Sequence, residues 1–163
     1  MQRAAELIGP IIELSPWLVQ RIVDKRPFDS AADLADCIAT AITNLNSDER
    51  LTLLRAHPVL APSEPRSMTI ESQSEQDRLG LAYPSPEQAS QLNELNATYS
   101  NQFGFPFIIA LHAQESLDSV LQSFIRRLDA SCESEMATAL EQIASVVRSR
   151  VCQRFGVSTE ETS

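Results

Sequence analysis

Apolar residues along this chain return at intervals of three and four, and prolines, glycines and short polar caps cut the pattern into helical lengths. Leu34, Cys37, Ile38, Ala41, Ile42 and Leu45 form one such stripe behind a cap at Ser30. Ser15-Pro16-Trp17 predicts a helix start with proline in the first turn, running from about Pro16 to Asp24 and halted before Pro27. Ser47 is the expected cap of a helix with Asp48 and Glu49 at its positive end and Leu51, Leu53 and Leu54 on its buried side. His57-Pro58 ends that helix, because a residue before proline is pushed out of helical geometry.

Ala61 to Ser67 reads as a loop, followed by a helix from about Thr69 that stops at Gly80. Ser85-Pro86-Glu87-Gln88 is a capping box opening a long helix through Leu92, Leu95, Tyr99 and Phe103, closed by Gly104. Phe105-Pro106-Phe107-Ile108-Ile109 cannot continue it and is predicted to be an extended apolar crossing segment. Ser116 and Ser131 cap the last two helices, the first bearing Val120, Leu121, Phe124 and Leu128, the second Met136, Leu140, Ile143 and Val147. The prediction is all-α: a single compact multi-helix domain over residues 1–157 with a polar tail at 158–163.

Composition narrows the chemistry. A formal net charge of −9 argues against nucleic acid and against an anionic membrane surface as partners. No apolar run approaches the roughly 20 residues that span a bilayer. The N-terminal stretch, interrupted by Glu6, Pro10, Glu13 and Pro16, lacks a signal-peptide pattern. Three separated cysteines, Cys37, Cys132 and Cys152, make neither a disulfide framework nor a zinc motif, so a reducing cytoplasm is the expected setting. All three fall in helical patterns and are expected to be buried as small apolar residues. An anionic substrate would be repelled by the overall field, so particular arginines would have to build a positive pocket. Arginine supplies twelve of the thirteen basic residues.

Candidate reactive groups are few. The chain has only two histidines, and His57 stands at a helix end with Pro58 after it. It has two readings: a cation on the helix dipole, worth about 1 kcal/mol, or a general acid/base with its backbone fixed by proline. Glu75 is either a solvated helix carboxylate or, sharing a face with Ser72 and Gln76, part of a polar pocket. The Gln76 amide suits a ureido or amide group, since it both gives and accepts hydrogen bonds. The extended segment leaves backbone groups without helix partners, and the edges of a planar heterocycle would satisfy them. No glycine-rich phosphate loop, GxSxG elbow or HExxH helix is present.

Taken together, these motifs resemble the OHCU decarboxylase family, whose substrate is 2-oxo-4-hydroxy-4-carboxy-5-ureidoimidazoline. The likeness begins at Glu13-Leu14-Ser15-Pro16-Trp17 and continues through Arg26-Pro27-Phe28-Asp29-Ser30, Leu54-Arg55-Ala56-His57-Pro58 and Glu71-Ser72-Gln73-Ser74-Glu75-Gln76. It then takes in Leu95-Asn96-Ala97-Thr98-Tyr99, Phe103-Gly104-Phe105-Pro106-Phe107-Ile108, Arg126-Arg127-Leu128 and Ala139-Leu140-Glu141-Gln142-Ile143. Each piece is weak alone, and the ordered set is specific.

The resemblance implies an all-helical, cofactor-free and metal-free decarboxylase, usually a homodimer, that forms (S)-allantoin in urate breakdown. It puts the essential histidine at His57 and the essential carboxylate at Glu75. It puts substrate contacts at Pro58, at Ser72 to Gln76 (Gln73 and Ser74 included), along Phe105 to Ile109 largely through backbone, and at Arg150. The likeness departs at His112, where the family often carries an arginine, and in the following Ala113-Gln114-Glu115. If that arginine holds the substrate carboxylate, the task would pass to Arg66 or Arg150; otherwise His112 is a surface residue. The competing class is a helical interaction module, or a member of the same family that has lost activity.

Overall fold

A computed structural model describes residues 2–62 and 68–156. Residues 63–67 of the expected loop at 61–67, with Arg66, and the tail after Gly156 lie outside the described residues. Among those described, the regular structure is helical: α1 (Gln2–Ile8), α2 (Pro16–Val23), α3 (Ala31–Thr43), α4 (Ser47–Arg55), α5 (Ile70–Arg78), α6 (Pro86–Phe103), α7 (Leu117–Arg127) and α8 (Cys132–Phe155). Short 3-10 turns at Gly9–Ile11 and Leu111–Ala113 complete it. The all-α expectation holds.

The caps mark where the prediction was right and where it slipped. Ser30, Ser85, Ser116 and Ser131 each accept a hydrogen bond from the backbone N–H three residues on. α4 is capped instead by Asn46, whose side chain accepts from Glu49 N–H while the Glu49 carboxylate accepts from Asn46 N–H. Ser47 is the first helical residue, displaced because Asn46 closes the reciprocal box with Glu49 and Ser47 has no such partner. Ser15 stands at the cap position of α2, but its hydroxyl turns away and donates to the Glu13 C=O at 2.9 Å. Helix α1 had no expectation behind it, since Gly9 and Pro10 interrupt the periodic pattern there. The cysteines correct a further expectation: Cys132 is exposed, and Cys37 and Cys152 are half-buried.

α8 is the axis. Its 24 residues pack chiefly against α3, and also against α4, α6 and both 3-10 turns. Being covered on several sides, it buries Ala139, Ile143, Val146, Val147 and Val151 and also two charged residues, Glu135 and Arg150. The other pillar is Tyr99 of α6, fully buried, whose ring meets Phe103, Phe105, Phe107 and Phe124 at centroid distances of 4.6–5.9 Å. Gly104 ends α6 with φ +78°, a left-handed conformation that glycine adopts without strain. The chain then runs without helix from Phe105 to Ala110.

That segment is held by charge. Arg127 lies over the Phe107 ring, 4.4 Å from its centroid, and donates to the Ile108 C=O at 2.7 Å. Its guanidinium is neutralised by Glu135, a buried carboxylate that also accepts the Tyr99 hydroxyl. Buried charges are tolerated only when paired and hydrogen-bonded, and both conditions are met. The effect is to fix the register of Phe107 and Ile108 against α7 and α8.

Candidate active site

His57 follows directly on α4. Its N–H donates to Leu54 C=O at 3.2 Å, and its ring Nδ1 lies 3.3 Å from Leu53 C=O. A carbonyl only accepts, so Nδ1 carries the proton and Nε2 is left with its lone pair. The segment beyond Pro58 is clamped by two amides. Gln76 accepts from Ala61 N–H at 2.8 Å and donates to Val59 C=O at 3.1 Å, and Asn96 donates to Leu60 C=O at 2.9 Å.

α5 presents Ser72, Glu75 and Gln76 on one face, as their spacing predicts. Facing them from α8 is Arg150, all of whose N–H groups find acceptors. Nε and Nη2 grip the two oxygens of Glu75 at 2.8 and 2.9 Å, and Nη2 also donates to Ser72 Oγ at 3.0 Å. Nη1 reaches Glu13 at 3.2 Å and the carbonyls of Pro10 and Ile11 at 3.4 and 3.5 Å. Glu13 in turn accepts from Ser72 Oγ at 2.6 Å and from the N–H and Oγ1 of Thr69 at 3.2 and 2.8 Å.

One cavity of about 40 Å³ joins these groups. Of the expected site residues, His57, Pro58, Ser72, Glu75, Gln76, Phe107, Ile108, Ile109 and Arg150 line it, together with Leu60, Leu111 and Val146. Four expected residues do not. Ser74 is exposed on the other side of α5, and Gln73 donates to Met68 C=O at 3.1 Å. Phe105 is buried against Tyr99, and Pro106 stands apart from the cavity. Gln76 lines the wall, but both ends of its amide are engaged by the loop after Pro58. Along the extended segment, Ala110 N–H is taken by Gln142. The N–H of Ile109 and the C=O groups of Phe107 and Ile109 make no hydrogen bond among the described residues.

The electrostatics differ from a simple positive pocket. Among the described residues Arg150 is the one arginine or lysine on the cavity wall, and it carries two carboxylates. Burial opposes its charge, but Glu75 and Glu13 outweigh that and hold its pKa above the ordinary arginine value. Burial likewise opposes the charge on Glu13. Hydrogen bonds from Ser72 and Thr69 and the Arg150 charge outweigh it, leaving the carboxyl below its ordinary value. Burial also pushes the His57 imidazole down to about 4, with the Leu53 carbonyl and Glu13 pulling the other way and Arg150 reinforcing the drop. His57 is therefore neutral near pH 7, which removes the dipole-cation reading. His112 is exposed, with its Nε2 3.4 Å from Ser145 Oγ.

Glu13 is the residue that sequence reasoning missed. The available signal was an acid placed directly after Ile11-Ile12, where a carboxylate needs a buried partner to be tolerated.

A neutral imidazole with one ring nitrogen unprotonated, a buried arginine and an apolar wall around one small cavity define a candidate acid–base enzyme. The family model for OHCU decarboxylase matches residues 1–152. The 2-oxo-4-hydroxy-4-carboxy-5-ureidoimidazoline decarboxylase of Haloferax volcanii is 35% identical over 150 residues, covering 92% of this chain and 88% of that protein. The mouse (Mus musculus) protein of the same name is 31% identical over 153 residues, covering 93% and 85%. A crystal structure of OHCU decarboxylase in the presence of (S)-allantoin superposes with a TM-score of 0.74 over 94% of this chain and 99% of that one, at 19% identity, a likeness of fold. The chain belongs to the OHCU decarboxylase family of carboxy-lyases.

Proposed function

We propose that the chain removes CO₂ from 2-oxo-4-hydroxy-4-carboxy-5-ureidoimidazoline to give (S)-allantoin in urate breakdown, with His57 as the proton-transfer group. The observation that carries this is the meeting of His57, Glu75 and Arg150 in one cavity, in a member of this family.

The substrate brings its own electron sink. As the bond to the carboxylate breaks, its electron pair forms a C=C bond and the adjacent ring C=N opens onto nitrogen, which takes a proton from solvent. The hydroxyl then loses its proton to become a carbonyl, and the neighbouring ring carbon gains one. Neutral His57, with Nε2 unprotonated, enters as the base for the hydroxyl. The imidazolium so formed is the acid that returns a proton to one face of the ring, which sets the handedness. Such chemistry needs no cofactor or metal.

The resting cavity is small and Arg150 at its wall has every N–H engaged, so seating the substrate carboxylate on it requires one of its partners to move. Glu75 is the candidate, with 21% of its side chain exposed. By releasing Arg150 it would open the guanidinium to the substrate carboxylate and free its own oxygens for the hydroxyl or ureido N–H groups. Pro58, Ser72 and the backbone of Phe107 to Ile109 would line the bound ring. Gln73, Ser74, Phe105 and Pro106 would act from outside that wall. A homodimer and a cytoplasmic setting complete the reading; the unpaired cysteines support a reducing compartment.

The test is to supply freshly prepared substrate and follow allantoin optically. Acceleration over the spontaneous reaction, with one-handed product, is the expected result. Racemic product at the spontaneous rate, with a stable complex formed on another protein, would favour the interaction module.

A further inference from the structure

Arg150 holds two carboxylates, and they are not equivalent. Glu75 sits at the cavity wall and keeps some exposure. Glu13 is fully buried, lies outside the cavity lining, and accepts hydrogen bonds from four donors on two elements distant in sequence, Thr69 and Ser72 at the start of α5 and Arg150 on α8. Burying a carboxylate so completely is expensive and contributes little to stability beyond what an apolar side chain would. The arrangement therefore has to be explained by what it positions.

We propose that Glu13 is a positioning residue for the decarboxylation: the fixed counter-ion that keeps Arg150 charged and aimed at the cavity when Glu75 lets go of it for an incoming carboxylate. This rests on the decarboxylase reading above.

The geometry supplies three reasons. In the resting site Arg150 has no N–H to spare, so a substrate anion binds only by exchange with one carboxylate. Only Glu75 has space to leave, since Glu13 is pinned by Thr69 and Ser72. With Glu13 gone, Nη1 would fall back on the long contacts to Pro10 and Ile11, and Glu75 would become the sole counter-ion of a buried guanidinium, hard to displace. Ser72 is oriented by the same residue: its O–H is committed to Glu13, so its oxygen faces Arg150 as an acceptor. The titratable and charged groups around His57 among the described residues are Glu13 on the N-terminal turn, Arg150 on α8 and Glu75 on α5, and Glu75 in turn acts on His112 together with Arg78. Glu13 favours the imidazolium that Arg150 disfavours.

The test uses the full chain and three proteins: wild type, Glu13→Gln and Glu13→Asp. Turnover of 2-oxo-4-hydroxy-4-carboxy-5-ureidoimidazoline is measured alongside an NMR titration of histidine-labelled protein, His112→Gln identifying the second ring. Glu13→Gln is expected to lose about 10²-fold in kcat/KM, the scale of a misplaced binding group, and its His57 midpoint to move to lower pH. Glu13→Asp, which keeps the charge, is expected to recover at least tenfold of the loss and to return the midpoint toward wild type. Wild-type turnover in Glu13→Gln overturns the proposal. So does a loss of turnover with an unmoved His57 midpoint and no recovery in Glu13→Asp, which would make Glu13 a residue of the fold alone. A wild-type chain that does not accelerate the reaction fails the decarboxylase reading before any variant is compared, and the proposal falls with it.

Discussion

Replacing Arg150 by Gln removes the one cation from a cluster that includes the buried carboxylate of Glu13. Glutamine can still donate to Ser72 or Glu75, but it cannot balance a charge. Stripping the partner from a buried ion pair costs about 3–5 kcal/mol, against a total stability of about 5–15 kcal/mol for an ordinary domain. For a chain of this length each kcal/mol moves Tm by about 2–4 °C, so Arg150→Gln should melt about 6–20 °C below wild type at pH 7. Trp17 is the only tryptophan, and urea unfolding followed by its fluorescence measures the gap in free energy.

The pH dependence separates lost charge from lost packing. In the wild type Glu13 has a folded pKa below its ordinary value. Its contribution is therefore fully present above the unfolded pKa of about 4.3 and is lost as pH falls through the folded value. In the variant the cation is gone and only the hydrogen bonds from Ser72 and Thr69 oppose burial, so the Glu13 carboxyl moves up from its wild-type position. Less stability then depends on its charge at neutral pH, and less is lost as it protonates. His57 adds to the trend, since Arg150 is one of the groups holding its imidazole down. The gap between the two proteins should therefore narrow as pH falls from 7 toward 4. A gap below about 1 kcal/mol at pH 7 would mean that the cluster does not need its cation. A gap of full size at both pH values would mean that packing, not charge, is what Arg150 supplies.

Two further outcomes follow from the same geometry. His57→Gln should lose at least about 10² in kcat while Tm and far-UV circular dichroism stay near wild type, whereas near-normal turnover would remove the ring from the chemistry. Gly104→Ala should cost about 1–2 kcal/mol because φ at that position is +78°; the added methyl would meet only Arg55 Nη2 at 3.6 Å, so a melting curve showing no loss would refute the conformational argument.

What the sequence disclosed and what it withheld divide along a physical line. Helix ends were readable because capping is local: Ser85 with Gln88, or Ser131 with Ser134, is decided within four residues. Where the local signal is shared, as between Asn46 and Ser47, the reciprocal bond to Glu49 decides, and the reading slips by one residue. The extended run after Gly104 was readable because proline and a left-handed turn exclude helix. What holds it, Arg127 paired with Glu135 across the α7–α8 turn, involves a buried charge that propensity alone does not disclose. The face of Ser72, Glu75 and Gln76 followed from helical spacing, but the tasks of its members did not. Gln76 is committed to the loop beyond Pro58, and Glu75 to an arginine 75 residues away.

The same distinction explains why Glu13 went unread and why it matters to the chemistry. A carboxylate in an apolar stretch carries no local sign of its partner; the cation that makes its burial tolerable arrives from a helix that begins at Cys132. Yet that long-range pairing bears on Arg150, Ser72 and His57, all of which meet the cavity. Glu13 favours the Arg150 charge, gives Ser72 its direction, and partly offsets the burial pushing His57 down to about 4, which Arg150 reinforces. A base with so low a resting pKa is a poor proton acceptor until extra negative charge reaches it, and the substrate carboxylate is such a charge. On this reasoning binding itself raises the basicity of His57, and the acid limb of kcat should lie above that of kcat/KM, which reports the free enzyme. Identical limbs in the two profiles would show that the bound anion does not act on the imidazole.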